Sequence, residues 1–284
     1  MLFCYLLFYA TSSFTSLPDI SACMNISLLG KNALVGGASA GIGRAVAVEL
    51  AALGANVTLV ARTESTLQQA VAGLDTTLGQ QHDYLVADFD DSMILLAKVS
   101  EMLRSRTIHI LVNNTGGPPG GPIIEAMPEN FLKAYHNHLI CNQLLAQAVL
   151  PGMKTAGYGR IINIISTSVK EPIDNLGVSN TTRWAVAAWA KTWANEAGPF
   201  GVTVNNVLPG YTETSRLREI IEKRAAASRT PLPEMEQQFK NQVPLRRFAE
   251  PGEVAAAVAF LASPAAAYIN GINLPVDGGR TRSL

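Results

Sequence analysis

Glycines at 37, 41 and 43 stand in the run GGASAGIGRA, residues 36 to 45, between an apolar stretch, NALVG, and a helix-like one, GIGRAVAVELAALG. Residues without a Cβ at a strand-to-helix turn let the backbone come close to a ligand. The free N–H groups and dipole of the following helix favour an anion there. The chemistry this suits is the binding of a dinucleotide pyrophosphate, the alternative being a tight turn with close helix packing. Further on, NVTLVA ends in Ala61 followed by Arg62. A site for NAD would offer a carboxylate to the ribose 2′-hydroxyl at that register. A guanidinium in its place suits a 2′-phosphate, hence NADP(H), and the alternative for Arg62 is an ordinary exposed loop charge.

Other residues with chemical potential are quickly bounded. His136 and His138 in YHNHL look like a metal pair, but side chains two apart point to different sides of a helix, so no metal is expected. Cys4, Cys23 and Cys141 are too few and too scattered for a disulfide framework or a zinc site, which points to free thiols in a reducing compartment. Cations and anions are equal at 22 each and neither is massed in a run, so a nucleic-acid binder is not expected. Small molecules and copies of the same chain are the expected partners.

These residues need a scaffold, and the hydrophobic pattern supplies one. From Lys31 onward seven β-like runs alternate with helix-like segments: NALVG, NVTLVA, DYLVAD, IHILVNN, RIINII, VTVNNVL and GINLPVDGG. That order predicts parallel strands joined by right-handed crossovers, a doubly wound α/β sheet in one domain covering residues 24–284. The polar segment 213–248 follows a late strand and is expected to form a lid over the carboxyl edge of the sheet. Residues 1–23 are read as an N-terminal extension outside the fold, because MNISLLGKNALV from Met24 is a sufficient cytosolic start. A secretory segment in MLFCYLLFYA, with a lipoprotein-like site at Cys23, is the alternative. It is too short to span a bilayer, and a cytoplasmic protein is expected.

From about residue 25 to the end the chain resembles the short-chain dehydrogenase/reductase family, and within it 3-oxoacyl-[acyl-carrier-protein] reductases. Gly37, Gly41 and Gly43 have that family's glycine spacing, with Gly36 in place of a threonine. Asp88 matches its adenine-contacting acid. Asn113, Asn114, Thr115 and Gly116 match its Asn-Asn-Ala-Gly turn, with Thr115 for alanine. Pro209, Gly210, Tyr211 and Thr212 match the segment beside the nicotinamide, and VDGG at 276–279 is the usual last strand. The resemblance implies a Rossmann-type fold with NADP(H) contacted by Gly37, Ser39, Gly41, Ile42, Gly43, Arg62, Asp88, Phe89, Asn114, Gly116, Arg183, Pro209, Gly210 and Thr212. It also implies a homo-oligomer, dimer or tetramer, built on the helix that carries Trp184, Ala188, Trp189 and Trp193 and on the long helix before it.

At the catalytic positions the resemblance is incomplete. The family uses a serine to hold the carbonyl, a tyrosine thirteen residues on to donate the proton, a lysine four further to bind ribose, and an asparagine in the preceding helix. Here those positions are Ser166, Ser179, Arg183 and His138. A serine hydroxyl is shorter and far less acidic than a phenol, and an arginine stays protonated where a lysine can relay. His138 has an ordinary pKa suited to proton transfer near neutrality, through a water to the carbonyl on Ser166. Alternatively it only hydrogen-bonds the bulged helix. Tyr211 either presents a phenol from the other side of the cleft or packs under the lid. The implied activity is reduction of a carbonyl, a 3-oxoacyl thioester by default, with altered proton delivery. The rival is an inactive NADP(H)-binding sensor or partner subunit.

Overall fold

The computed structural model describes residues 24–283. The expectations for residues 1–23, Cys4 and Cys23 included, lie outside them. Seven strands form one sheet: β1 (Asn32–Gly36), β2 (Asn56–Ala61), β3 (Asp83–Val86), β4 (Ile110–Asn113), β5 (Gly159–Ile164), β6 (Val202–Pro209) and β7 (Asn273–Val276). Their order is β3-β2-β1-β4-β5-β6-β7, every neighbouring pair parallel. The doubly wound α/β architecture expected from the alternating pattern is therefore the one observed.

Nine α-helices connect and flank the strands. In chain order they are α1 (Gly41–Ala52), α2 (Glu64–Ala72), α3 (Ser92–Leu103), α4 (Pro128–Tyr135), α5 (Cys141–Ala156), α6 (Gly177–Ala197), α7 (Ser215–Ser228), α8 (Leu232–Asn241) and α9 (Pro251–Ala262), counted among the described residues. Side chains alternate across the sheet, so β1 sends Ala33 and Val35 to one face and Leu34 to the other. On the first face they meet Val46 and Leu50 of α1 and Val254 and Val258 of α9. On the second, Leu34 joins Leu95 and Val99 of α3, Leu145 and Val149 of α5 and Ala190 and Ala194 of α6. Burial on both faces explains why the inner strands β1, β2, β4, β5 and β6 read as near-continuous apolar runs.

The four central and edge strands on the β7 side are also joined by side chains. Asn113, Asn163, Asn206 and Asn273 stand in register on β4, β5, β6 and β7. Each amide of the first three passes one hydrogen bond of 2.8 Å to the next. Asn163 is fully buried, and its carboxamide both accepts and donates in this ladder.

The segment 213–248 forms α7 and α8, which share a small core of Leu217, Ile221, Met235, Phe239 and Phe248. An isolated bridge from Thr212 to Ala249 closes its base beside the carboxyl end of β6. Arg216 of α7 donates to the carbonyl of Pro118 at 2.8 Å, tying the segment to the loop after β4.

Candidate active site

Every strand from β1 to β6 delivers site residues from its carboxyl end. β1 runs into Gly37, β2 into Arg62, β3 towards Asp88 and Phe89, β4 into Asn114, β5 towards Ser166 and β6 into Gly210. The order of connections reverses between β1 and β4, which opens a crevice at that edge.

In the glycine turn the backbone itself fills the space a side chain would need. Gly37 has φ +57°, a left-handed conformation that glycine adopts without strain, and a Cβ on Gly43 would run into the carbonyl oxygen of Gly37. Asn114 braces the turn by donating to the carbonyls of Gly36 at 3.2 Å and Gly37 at 3.3 Å. Ala40, at the N-cap of α1, offers no capping side chain and the first turn of the helix carries no acid. Its first N–H groups are thus left to an outside acceptor.

Around the turn, Phe89 packs against Gly36, and Asp88 accepts from the Asp90 N–H at 3.0 Å. Ser39 is partly exposed and Gly116 exposed. Arg62 is exposed and forms no hydrogen bond or ion pair among the described residues. A bare glycine cradle, an uncapped helix start and an exposed guanidinium are what a dinucleotide with a 2′-phosphate requires, and the residues present fit NADP(H).

A cavity of about 570 Å³ continues from this cradle. Ile42, Ser166, Pro209, Gly210 and Thr212 line it, with α7 as its far wall. Ser166 accepts a hydrogen bond from the Ser168 N–H at 3.1 Å, which leaves its own O–H free to donate. Ser179, Arg183 and His138 do not line this cavity. The Ser179 hydroxyl makes no hydrogen bond among the described residues. Arg183 is buried and donates to the carbonyl of Ile164, the last residue of β5, at 2.9 Å. Burial lowers its pKa to about 10, so it remains a cation at neutral pH.

His138 corrects the expectation of a group that titrates near neutrality. It sits in a single wide π-helical turn, His136–Ile140, between α4 and α5 and is 2% exposed. Its Nδ1 is hydrogen-bonded to the hydroxyl of Thr115. Burial, aided by the charge of Arg183, drives its pKa down to about 2, so the ring is neutral throughout the physiological range. His136 faces elsewhere, to Ser92 at 3.0 Å and Asn137 at 3.1 Å. Among the described residues no group of three metal-ligating side chains occurs.

Tyr211 packs against the 213–248 segment. Its ring lies against Phe239 and Phe248 with Arg280 over its face, and its hydroxyl donates to Gln242 at 2.9 Å. Thr115 and Arg280 are site residues that their sequence context does not single out, Thr115 being in sequence only a departure from the family's turn motif. Thr115 lies 23 residues from His138, a separation with no local pattern to reveal the pairing. Arg280 follows the last strand, where only its charge distinguished it.

With this geometry in view, comparison with known proteins is informative. Residues 37–281 match the family described as enoyl-(acyl carrier protein) reductase. The putative ketoacyl reductase of the monensin polyketide synthase from Streptomyces virginiae is 36% identical over 250 residues, 87% of this chain and 95% of that protein. The 3-oxoacyl-[acyl-carrier-protein] reductase FabG of Pseudomonas aeruginosa is 34% identical over 258 residues, 89% of this chain and 98% of its own. Among solved structures, L-sorbose reductase from Gluconobacter frateurii, complexed with NADPH and L-sorbose, superposes with a TM-score of 0.86 at 30% identity, covering 92% of this chain and 100% of that one. The chain belongs to the short-chain dehydrogenase/reductase family, a class of Rossmann-type oxidoreductases.

Proposed function

We propose that the protein is an NADP(H)-dependent oxidoreductase that reduces the carbonyl of a small molecule, with Ser166 holding the carbonyl oxygen. The observation that carries this reading is the position of Ser166, its O–H uncommitted, on the wall of the cavity that opens from the glycine cradle. The relatives named ketoacyl reductase and the neighbour solved with NADPH support it, and a 3-oxoacyl thioester is the default substrate. The same reading expects a homo-oligomer, dimer or tetramer, in the cytoplasm.

When bound, NADPH supplies the hydride that the carbonyl carbon receives. The chain's own residues do the rest. Arg62 pairs with the 2′-phosphate, and Gly37, Gly41 and Gly43 admit the pyrophosphate to the start of α1. Ser166 donates to the carbonyl oxygen and so stabilises the charge that develops there. The proton that completes the alcohol does not come from a phenol, since Ser179 stands in the tyrosine position and the Tyr211 hydroxyl is given to Gln242. Nor does it come from an imidazolium, since His138 is neutral. Water in the cavity, reaching the oxygen beside Ser166, is the remaining donor, and His138 with Thr115 holds the bulged helix in place. Arg183 keeps a fixed positive charge under the end of β5.

Consumption of NADPH against a panel of carbonyls tests this directly. Activity is expected to be modest, because loss of a positioned general acid costs a factor of about 10² to 10⁴. Ser166→Ala should remove it while leaving NADPH affinity unchanged. The double variant Ser179→Tyr with Arg183→Lys should raise the rate on a substrate already turned over. A folded, NADPH-binding double variant that reduces no carbonyl would sink the reading in favour of a sensor or inactive partner subunit.

A further inference from the structure

The cavity beside Ser166 is unusually cationic for a chain whose charges balance. Arg216, Lys223, Arg224 and Arg280 line it, against only Asp174 and Glu219. Arg216 is engaged with the Pro118 carbonyl and Glu219, and Arg224 lies 5.7 Å from the centre of the Phe239 ring. Arg280 is held next to the serine. Its guanidinium is stacked 4.4 Å from the centre of the Tyr211 ring, and its Nη1 lies 3.5 Å from the hydroxyl of Thr167, the residue next to Ser166. Its Nε is buried and has no hydrogen-bond partner.

No carboxylate forms an ion pair with Arg280 among the described residues. The Asp277 carboxylate accepts from the N–H groups of Gly279 and Thr281 at 3.0 and 2.8 Å. Glu171 accepts from those of Arg282 and Ser283 at 2.7 and 2.8 Å. Both acids therefore serve to hold the chain on either side of Arg280, which fixes the guanidinium in place. A partly buried cation with no counter-charge is costly unless something pairs with it, and a planar guanidinium matches a carboxylate best. The phosphates of the cofactor lie by the reading above at the glycine turn and Arg62, whereas Arg280 stands over Tyr211 and beside Thr167.

We infer that Arg280 is a specificity-determining residue that pairs with a carboxylate of the substrate, making the preferred substrates oxo acids rather than neutral ketones or thioesters. The inference rests on the proposed reductase reading for its site and replaces that reading's default thioester with an oxo acid. The carboxylate would sit on Arg280 while the ketone oxygen sits on Ser166. Tyr211 beneath the guanidinium sets the orientation, and the cations of α7 draw the anion into the cleft.

The test uses the full-length protein and a ladder of oxo acids, with the ketone two, three or four carbons from the carboxyl carbon, each compared with its methyl ester. A phosphorylated ketone and its unphosphorylated parent form a separate arm. At least one acid should exceed its ester by about tenfold or more in kcat/KM, the scale of a charged hydrogen bond. Arg280→Ala should reduce kcat/KM for that acid by about 10- to 100-fold, chiefly through KM, with the ester unaffected and the NADPH dissociation constant unchanged. Arg280→Lys should restore part of the loss, which a merely structural role for the side chain would not allow. Calorimetric binding of a non-reducible carboxylate to the NADP⁺ complex, in wild type and both variants, reads the pairing without turnover. If no carbonyl is reduced but the carboxylate binds and Arg280→Ala abolishes it, the reductase reading fails and the pairing stands. Equal use of acid and ester, a preference for the phosphorylated ketone alone, no carboxylate binding, or equal losses on acid and ester in the variant would each overturn the inference.

Discussion

Arg62 and His138 show how a single side chain carries consequences that its type alone does not reveal. Arg62 projects from the end of β2 with no hydrogen bond or ion pair among the described residues, and Asp90, on which its charge acts, is already held by Lys133 and Asn137, so removing it leaves nothing unpaired. Arg62→Ala should therefore weaken NADPH by about 1.5–3 kcal/mol, the value of a charged hydrogen bond, while leaving NADH and stability unchanged. Fluorescence titration with both cofactors checks it, and equal losses for the two would remove the 2′-phosphate assignment. His138 makes a different prediction. Its folded-state pKa, about 2, lies below the ordinary 6.5, so protonation favours the unfolded chain. The stability held by the neutral ring is complete above pH 6.5 and is lost as pH falls from there towards the folded value. Each pH unit below 6.5 should cost about 1.4 kcal/mol for this one proton. Urea unfolding of wild type and His138→Asn from pH 7.5 to 5 should show the difference, the variant having the shallower slope. The activity profile, by contrast, should contain no ionisation near neutrality that His138→Asn removes.

At the scale of elements, the sheet was legible because its signal is repeated seven times and each run has only one way to bury both faces. The glycine turn was legible too, since Gly37 and Gly43 answer a local demand of backbone geometry. What the sequence did not disclose were pairings between distant strands and loops: Thr115 with His138, Arg280 with Tyr211 and Thr167, and the asparagine ladder. Polar residues inside apolar strands have no periodicity of their own, and their partners are fixed only when the strands come into register. The ladder makes a prediction for the element it joins. Asn163→Ala would break two hydrogen bonds and strand the amide of Asn113 and the acceptor of Asn206 in the core. It should destabilise the protein by about 2–4 kcal/mol, whereas Asn273→Ala, at the exposed end, should cost less than about 1.5 kcal/mol. Denaturant midpoints at constant slope would measure both. A cost for Asn163→Ala no larger than for Asn273→Ala would mean that the ladder is not a stabilising unit.

For the molecule as a whole, the apolar surface left exposed indicates where further copies would attach. Leu132 is 70% exposed on α4 and Trp184 50% exposed on α6, two helices packed against each other, and Tyr135 and Ile140 of the same stretch are exposed as well. Trp189 and Trp193 are held differently: both indole N–H groups donate to Gln143 of α5, at 2.7 and 2.8 Å, which binds these two rings to the body of the protomer. Trp184 instead donates to the Ser168 carbonyl at 2.9 Å and leaves half its surface outside. The tryptophan stripe is thus divided, with Trp189 and Trp193 serving the fold and Trp184 available for an interface. Large apolar side chains clustered on neighbouring helices mark association sites more often than a scattered surface does. Light scattering on the full-length protein should report a dimer or tetramer, and Trp184→Glu with Leu132→Glu should lower the assembly by at least one step without changing the far-ultraviolet circular dichroism. Because Ser168 lies two residues from Ser166, an assembly formed over Trp184 would also steady the serine proposed to hold the carbonyl. The dissociated variant should accordingly retain NADPH affinity while kcat falls, and a monomeric wild type, or a variant of undiminished size, would place the interface elsewhere.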